Sequence, residues 1–251
     1  MDRLENLKNI IMYLMADNRV SHRIPSTLEE RQRMMRAFMN VWEPRPISED
    51  FLKMQDAELQ IQREEKGIVE ISDITPQTSD IRLWQGDITR LEVEAIVNAA
   101  NAQALGCWAP LHNCIDNCIH SAAGIQLRKE CADKMQGRLL ATGDAFITQG
   151  YNLPARHVIH TVGPIIPDGV PTKEQEEQLA QCYRSCLDLA EEDGLESITF
   201  CCISTGVFHF PNEQAARIAI ETVKSYPRHA LKTIVFNVFL DKDRDIYRQF
   251  L

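Results

Sequence analysis

The order of apolar and polar positions divides the chain into a helical first quarter and a longer part in which strands and helices alternate. Residues 1–18 predict a helix, because their apolar side chains recur on one helical face. A second helix is predicted to begin at Ser26, where Glu29 three residues later completes a capping box. Residues 48–66 predict a third helix, with Ser48 at its start. The chain up to residue 67 is therefore expected to be a helical extension.

Short segments rich in β-branched residues alternate with helical segments over the rest of the chain. Predicted strands cover residues 68–74, 81–88, 95–98, 144–149, 157–161, 197–204 and 233–240. Predicted helices cover residues 113–131, 174–192 and 212–226. This alternation is typical of α/β folds, in which a sheet lies between layers of helices. Ligands of such folds collect at the carboxyl ends of the strands, so polar residues there are the first candidates for a functional site.

Composition narrows the class of protein and the class of ligand. Apolar residues make up 44% of the 251 residues and charged residues 25%, as expected of a chain that folds around its own core. The net charge of -9 disfavours nucleic acid and anionic membranes, which attract proteins through an excess of basic residues. A phosphate ligand must therefore be bound by local groups.

The chain is expected to be cytoplasmic. The apolar run at residues 10–15 is far shorter than a membrane span and lacks the flanks of a signal peptide. The eight cysteines are then expected to stay reduced. Metal binding or catalysis is the expected special use of any of them.

The densest group of chemically reactive side chains lies in one loop before a predicted helix. Cys107, His112 and Cys114 occur within eight residues, and Pro110 between them disfavours helix. Two thiolates and one imidazole are ligands that zinc prefers, and three protein ligands leave the fourth tetrahedral position open to substrate. The alternative is a pair of buried structural cysteines beside a surface histidine. If Cys118 were a fourth ligand, the site would be closed and structural.

Two further polar groups follow predicted strands. Asn98 and Asn101 offer amide donors and acceptors to a polyol such as ribose, although Asn98 is equally suited to a tight turn. Ser204, Thr205 and Gly206 lie between a strand and a helix, where backbone N–H groups and hydroxyls can bind a diphosphate. Most turns of this composition only connect a strand to a helix.

Five motifs in a fixed order give the chain a family resemblance. They are GDIT at residues 86–89, AIVNAAN at 95–101, CIHSAAG at 118–124, VIHTVGP at 158–164 and STG at 204–206. Together they resemble the macrodomains, which bind ADP-ribose. The resemblance implies a three-layer α/β/α fold with a mixed central sheet at residues 68–251, preceded by the helical N-terminal extension at residues 1–67. The loop with Cys107, His112 and Cys114, called the metal loop below, and this extension are similar to parts of the zinc-containing macrodomains of microbes, which are protein-ADP-ribose hydrolases.

The resemblance also assigns residues to the parts of ADP-ribose. Asp87 and the Ile88 amide match the adenine subsite, with Phe239 or Asn237 supplying a side chain beside it. Asn101 matches a residue near the distal ribose. The loop that matches the diphosphate site comprises Ser204, Thr205, Gly206, Val207 and Phe208, with Phe208 against the distal ribose.

The activity implied by the resemblance is the release of ADP-ribose from mono-ADP-ribosylated protein, with one Zn2+ per chain and with Asp116 and Asn101 as catalytic residues. Either zinc or Asp116 makes the larger contribution to catalysis, because the metal ligands replace the glycines of metal-free relatives while Asp116 keeps the position of their aspartate. The family further implies an ester on an acidic side chain of a lipoyl carrier of the glycine-cleavage type, modified by a sirtuin-like transferase. Two alternatives use the same pocket: an ADP-ribose-binding module with a structural zinc, and an O-acetyl-ADP-ribose deacetylase.

Overall fold

A computed structural model describes residues 2–251 and shows helices followed by an alternation of strands and helices. The helices are α1 (Arg3–Asp17), α2 (Leu28–Asn40), α3 (Glu49–Lys66), α4 (Ile115–Ala123), α5 (Ile125–Met135), α6 (Lys173–Glu192), α7 (Asn212–Ser225) and α8 (Asp241–Phe250). The strands are β1 (Val69–Glu70), β2 (Ile81–Gln85), β3 (Leu91–Glu92), β4 (Ala95–Ala99), β5 (Ala145–Gln149), β6 (His157–Thr161), β7 (Ser197–Phe200) and β8 (Thr233–Val238). Within this part of the chain, none of the helices combines the length and apolar character that crossing a bilayer requires.

Six strands form the central sheet in the order β2-β8-β7-β4-β6-β5. Neighbouring strands run parallel except β5, which pairs antiparallel with β6, so the sheet is mixed as predicted. β1 and β3 form a separate two-stranded parallel ladder. Because the five parallel strands end at the same edge, the loops that follow them share one side of the molecule.

Helices cover both faces of the sheet. Along β6, His160 approaches Cys131 of α5, whereas the next residue, Thr161, lies beside Cys182 of α6. Successive strand residues point to opposite faces, so α5 and α6 lie on opposite sides of the sheet. α4 packs against α5 on the first side, and α7 and α8 continue the row from α6 on the second. The predicted three-layer α/β/α fold is confirmed.

Helices α1 to α3 form the N-terminal extension, which has a small apolar core of its own. Trp42 and Phe51 are its largest buried side chains, and Ile125 of α5 also belongs to it. Ser48 caps α3 as predicted. The predicted start of α2 is wrong by one residue, because Thr27 rather than Ser26 accepts the capping hydrogen bond. The domain boundary at residue 67 stays a prediction.

Three other differences from the predicted elements have local causes. The predicted helix at residues 113–131 is two helices, because Gly124 adopts a φ of 104° between α4 and α5. The predicted strand at residues 68–74 is reduced to β1 and a following 3-10 turn. Helix α8 was not predicted, since most of its residues are polar and only Asp243 and Tyr247 are buried.

Candidate functional site

The carboxyl edge of the sheet gathers the four segments that the resemblance assigns to the ligand. Asp87 follows β2, Phe239 follows β8, Ser204 follows β7 and Asn101 follows β4. These strands are consecutive neighbours in the sheet. Neighbouring strands lie about 4.8 Å apart, so the row from the first segment to the last spans roughly 14 Å. An elongated ligand can therefore contact all four segments in the order in which the strands lie.

The loop after β7 presents backbone donors at this edge. The chain passes through the left-handed region at Ser204, with a φ of 65°, and at His209, with a φ of 59°. Between them, the N–H groups of Gly206, Val207 and Phe208 donate to no atom of residues 2–251. Val207 is 67% exposed. The loop thus offers successive free N–H groups of the kind that bind phosphate.

The hydroxyls of the same loop are less available than its amides. The Thr205 hydroxyl donates to the Cys202 carbonyl at 3.0 Å. The Ser204 hydroxyl oxygen is buried without a hydrogen-bond partner. It lies so close to Gly163 that a Cβ added there would approach it to 2.0 Å. Gly163 therefore permits the close packing of this loop, and the backbone supplies the free donors.

Asp87 lies at the β2 end of the row and already has protein partners. Its carboxylate accepts hydrogen bonds from the backbone N–H and the hydroxyl of Thr89, and it pairs at 3.2 Å with Lys66 at the end of α3. Burial raises the pKa of Asp87, but Lys66 and Thr89 outweigh burial and hold it below its ordinary value. Asp87 is therefore a charged acceptor, and the extension contributes to its surroundings.

Phe239 and Asn237, the two candidates for the side chain beside adenine, differ in whether they are free to contact a ligand. Phe239 is 71% exposed. The Asn237 side chain is buried and donates to the Gly86 carbonyl at 3.0 Å. Phe239 is thus the residue with a side chain free for a ligand. Ile88 begins the 3-10 turn that Asp87 caps, which places its N–H beside the carboxylate.

Asp116 lies in the first turn of α4, beside Asn101. The residue is 5% exposed, and its carboxylate accepts hydrogen bonds from the side-chain amides of Asn98 at 2.8 Å and Asn101 at 3.4 Å. Burial raises the pKa of Asp116 to about 6, although the Asn98 hydrogen bond and the charge of Arg128 oppose the rise. The side-chain oxygen of Asn101 accepts two N–H groups of its own loop. The structure thus brings the two residues expected to be catalytic into contact.

A buried polar network supports Asp116 from the core. Asn98 also donates to Nδ1 of His160 at 3.1 Å. Nε2 of His160 lies 3.0 Å from the Thr148 hydroxyl, which itself donates to the Val158 carbonyl, so Nε2 carries the imidazole proton. Burial lowers the pKa of His160 to about 3, which keeps the ring neutral. His160 is therefore a core histidine with both nitrogens satisfied, and Asn98 is a buried bridge rather than a turn residue.

Cys107, His112 and Cys114 converge in the loop between Asn101 and α4. Their ligand atoms lie within 4.8 Å of one another. The Cys107 sulfur lies 3.7 Å from Nδ1 of His112, close to the roughly 3.5 Å expected for tetrahedral zinc with bonds of about 2.3 and 2.0 Å. Burial raises the pKa of the Cys114 thiol to about 12, a rise that a bound cation reverses. The three side chains fit one zinc ion.

Two neighbouring groups do not belong to this cluster. The Cys118 sulfur faces Arg36 instead of the three ligands, so a fourth cysteine ligand is absent among the described residues. His120, Cys131 and His160 form a second group of close ligand atoms, but all three are buried. The His120 ring lies beneath Gly106, which has a φ of 80° and leaves no room for a Cβ. We assign this second group to the core beneath the loop that holds Cys107, His112 and Cys114.

The chain matches known proteins over most of its length. A family model of the macro domain matches residues 97–219. A protein of Treponema medium named protein-ADP-ribose hydrolase is 47% identical over 252 residues, with 96% of each chain covered. A protein of Staphylococcus aureus (strain MRSA252) with the same name is 44% identical over 260 residues, with 99% of this chain and 97% of the relative covered.

Solved structures have the same fold. A Trypanosoma brucei macrodomain in complex with ADP-ribose matches with a TM-score of 0.65 and 32% identity, over 82% of this chain and 91% of the other. An Oceanobacillus iheyensis macrodomain with ADP matches with a TM-score of 0.62 and 38% identity, over 70% of this chain and 93% of the other. With the mixed sheet, the loops at its carboxyl edge and these matches in agreement, the chain belongs to the macrodomain family.

Proposed function

We propose that this protein is a zinc-dependent hydrolase that releases ADP-ribose from mono-ADP-ribosylated protein. The observation that carries the proposal is the position of the metal ligands, which lie in the loop that joins Asn101 to the helix of Asp116. This loop is at the β4 end of the ligand row, where the distal ribose is expected. The relatives named protein-ADP-ribose hydrolase match over nearly the full length, including the N-terminal extension.

The ligand would lie along the carboxyl edge with its adenine beside Asp87 and Phe239. Asp87 is a charged acceptor for the adenine amino group. The free N–H groups of Gly206, Val207 and Phe208 would bind the diphosphate. This local arrangement suits a chain with a net charge of -9, which has no general attraction for phosphate. The distal ribose then reaches Asn101.

The chemistry takes place on the bond between the distal ribose and the modified side chain. Zinc bound by Cys107, His112 and Cys114 would supply a Lewis acid at this point. Asp116 would orient the attacking water and accept its proton, since its carboxylate lies beside Asn101 at the end of the row. Asn101 would hold the ribose in position for attack.

The resemblance to zinc-containing macrodomains supports a narrower substrate. We propose an ester on an acidic side chain of a lipoyl carrier of the glycine-cleavage type, placed there by a sirtuin-like transferase. A carboxylate leaves without prior protonation because its conjugate acid has a pKa of about 4. Such a substrate needs an activated water more than a general acid, which matches the role given to Asp116. We place the reaction in the cytoplasm, because cysteine ligands bind zinc only when reduced.

Metal analysis combined with a release assay tests the proposal. The purified protein should contain one zinc per chain, and it should release ADP-ribose from a modified carrier protein at a rate that a chelator abolishes. Cys114→Ala should remove both zinc and activity, whereas Cys118→Ala is the matched control that keeps both. Asp116→Ala should lower the rate by about 100-fold or more while zinc stays bound.

Three results would contradict the proposal. Binding of ADP-ribose without release would make the protein a reader with a structural metal. Turnover restricted to O-acetyl-ADP-ribose would make it a deacetylase of a small molecule. Full activity after zinc has been removed would leave Asp116 to act without a metal.

A further inference from the structure

The N-terminal extension contacts the metal loop directly, although its sequence carries no motif of the family. Asn40 ends α2 and is 2% exposed. Its side-chain oxygen accepts the backbone N–H of Leu111 at 2.9 Å, and its nitrogen donates to the Ser121 hydroxyl at 2.9 Å. One turn earlier on α2, Arg36 donates to the His112 carbonyl at 2.8 Å. Two consecutive residues of the loop are therefore bonded to the extension.

Leu111 has an unfavourable backbone conformation that Asn40 supports. Its φ is 61°, in the left-handed region that costs residues other than glycine free energy. Strained residues persist where the surrounding structure holds them. Leu111 immediately precedes His112, so a change of its backbone would rotate the imidazole away from Cys107. The Asn40 hydrogen bond is thus placed to preserve the convergence of the ligands.

The beginning of the loop is bonded to the same end of α2. Arg128 of α5 donates to the carbonyls of Met39 at 3.2 Å, Asn40 at 2.8 Å and Trp42 at 2.9 Å. The same guanidinium donates to the Cys107 carbonyl at 3.3 Å. Cys107 is therefore tied to the extension through Arg128, while Leu111 and His112 contact it directly.

We infer that the N-terminal extension stabilises the metal site, with Asn40 and Arg36 as positioning residues. They hold the loop in the conformation in which Cys107, His112 and Cys114 face one cation. The inference rests on the proposed function, since it requires that the loop bind zinc. Groups that orient metal ligands without touching the metal change metal affinity by about 10–100-fold when they are removed.

Zinc affinity of substituted full-length proteins tests the inference, measured by competition with a chromophoric chelator. Asn40→Ala and Arg36→Ala should each bind zinc at least about tenfold more weakly than the wild type. Arg33→Ala is the matched control, because Arg33 is exposed on the same helix and should leave the affinity unchanged. Leu111→Gly added to Asn40→Ala should return the affinity to within about threefold of the wild type, since glycine adopts positive φ without strain.

Amide hydrogen exchange gives a readout that does not need the metal. In the zinc-free protein, Asn40→Ala should speed exchange of the Leu111 N–H and leave the exchange of β4 and β6 unchanged. If Asn40→Ala does not fold, the zinc affinity of Arg36→Ala carries the test instead, and wild-type affinity in that variant would refute the inference.

The outcomes separate this inference from the proposed function. A wild-type protein without zinc affinity would refute the proposed function and the inference together. Wild-type affinity in Asn40→Ala, or a loss that Leu111→Gly does not reverse, would refute the inference alone. Loss of affinity with restoration by glycine would establish that the extension acts through the backbone of the loop.

Discussion

His160 should make the protein less stable at pH 5 than at pH 7.5, because it is buried as a neutral imidazole. His160 is 0% exposed, and burial lowers its pKa to about 3, against about 6.5 in an unfolded chain. At pH 5 the unfolded chain carries a proton on this residue and the folded chain does not. Stability decreases with falling pH wherever the unfolded state binds more protons. The loss is about 2 kcal/mol at pH 5, which lies 1.5 units below the unfolded pKa at roughly 1.36 kcal/mol per unit.

Urea unfolding of the wild type and His160→Asn at several pH values measures this effect. The variant should be less stable at pH 7.5, because it loses packing and the hydrogen bond to Thr148. It lacks the titrating group, so the gap in unfolding free energy should narrow by about 2 kcal/mol between pH 7.5 and pH 5. Titrating groups distant from His160 are present in both proteins, and their contributions cancel in the comparison.

A gap that stays constant with pH would refute the reasoning. It would mean that His160 takes up its proton in the folded protein as readily as in the unfolded one. Nitrogen chemical shifts of the imidazole give an independent check, since the network requires the proton on Nε2.

Three further predictions concern the loop and the ligand row. Gly106→Ala should lower the unfolding free energy by more than Gly137→Ala in urea titrations. Both glycines have positive φ, 80° and 77°, which costs alanine about 1–2 kcal/mol at either position. Only Gly106 also packs against a side chain, the ring of His120. Equal losses would argue against that contact. Asp87→Asn should weaken ADP-ribose binding about tenfold by calorimetry, because a neutral amide is a poorer acceptor than a carboxylate; unchanged binding would place adenine elsewhere. Arg128→Met should lower stability by about 2 kcal/mol in thermal or urea unfolding, since buried carbonyls lose a charged donor; a stable variant would show that water replaces the guanidinium.

The sequence was sufficient for the parts of the fold that depend on local patterns. The apolar face of α1, the capping residue Ser48 of α3 and the β-branched runs of β6 and β8 predicted these elements closely. The division between α4 and α5 was missed, because an isolated glycine is tolerated within many helices and only the φ of Gly124 shows the break. Helix α8 was missed because it buries few residues and has little apolar periodicity.

The candidate site was predictable where its residues lie together in the chain. Cys107, His112 and Cys114 share one loop, so their convergence followed from spacing and ligand chemistry. Contacts between distant segments were not predictable, since nothing in the sequence around Asn40 or Lys66 indicates that they reach Leu111 and Asp87. Only the three-dimensional packing of the extension brings these residues together.

The buried contacts that hold Asp116 in place were likewise not predictable from the sequence. The sequence is compatible with Asn98 as a ribose contact or as a turn residue, whereas the structure gives it a third role as a buried donor to Asp116 and His160. His160 is fully buried in the core. Its partner Thr148 lies on the antiparallel strand β5, so the pairing depended on a register that the sequence did not specify.

X-ray absorption at the zinc edge, with and without ADP-ribose, tests the central claim most directly. The expected spectrum has two sulfur ligands at about 2.3 Å, one nitrogen at about 2.0 Å and one exchangeable light ligand. Addition of ADP-ribose should alter that fourth ligand while the two sulfurs remain. A spectrum with four fixed protein ligands, or one that ADP-ribose leaves unchanged, would contradict an open zinc facing the distal ribose.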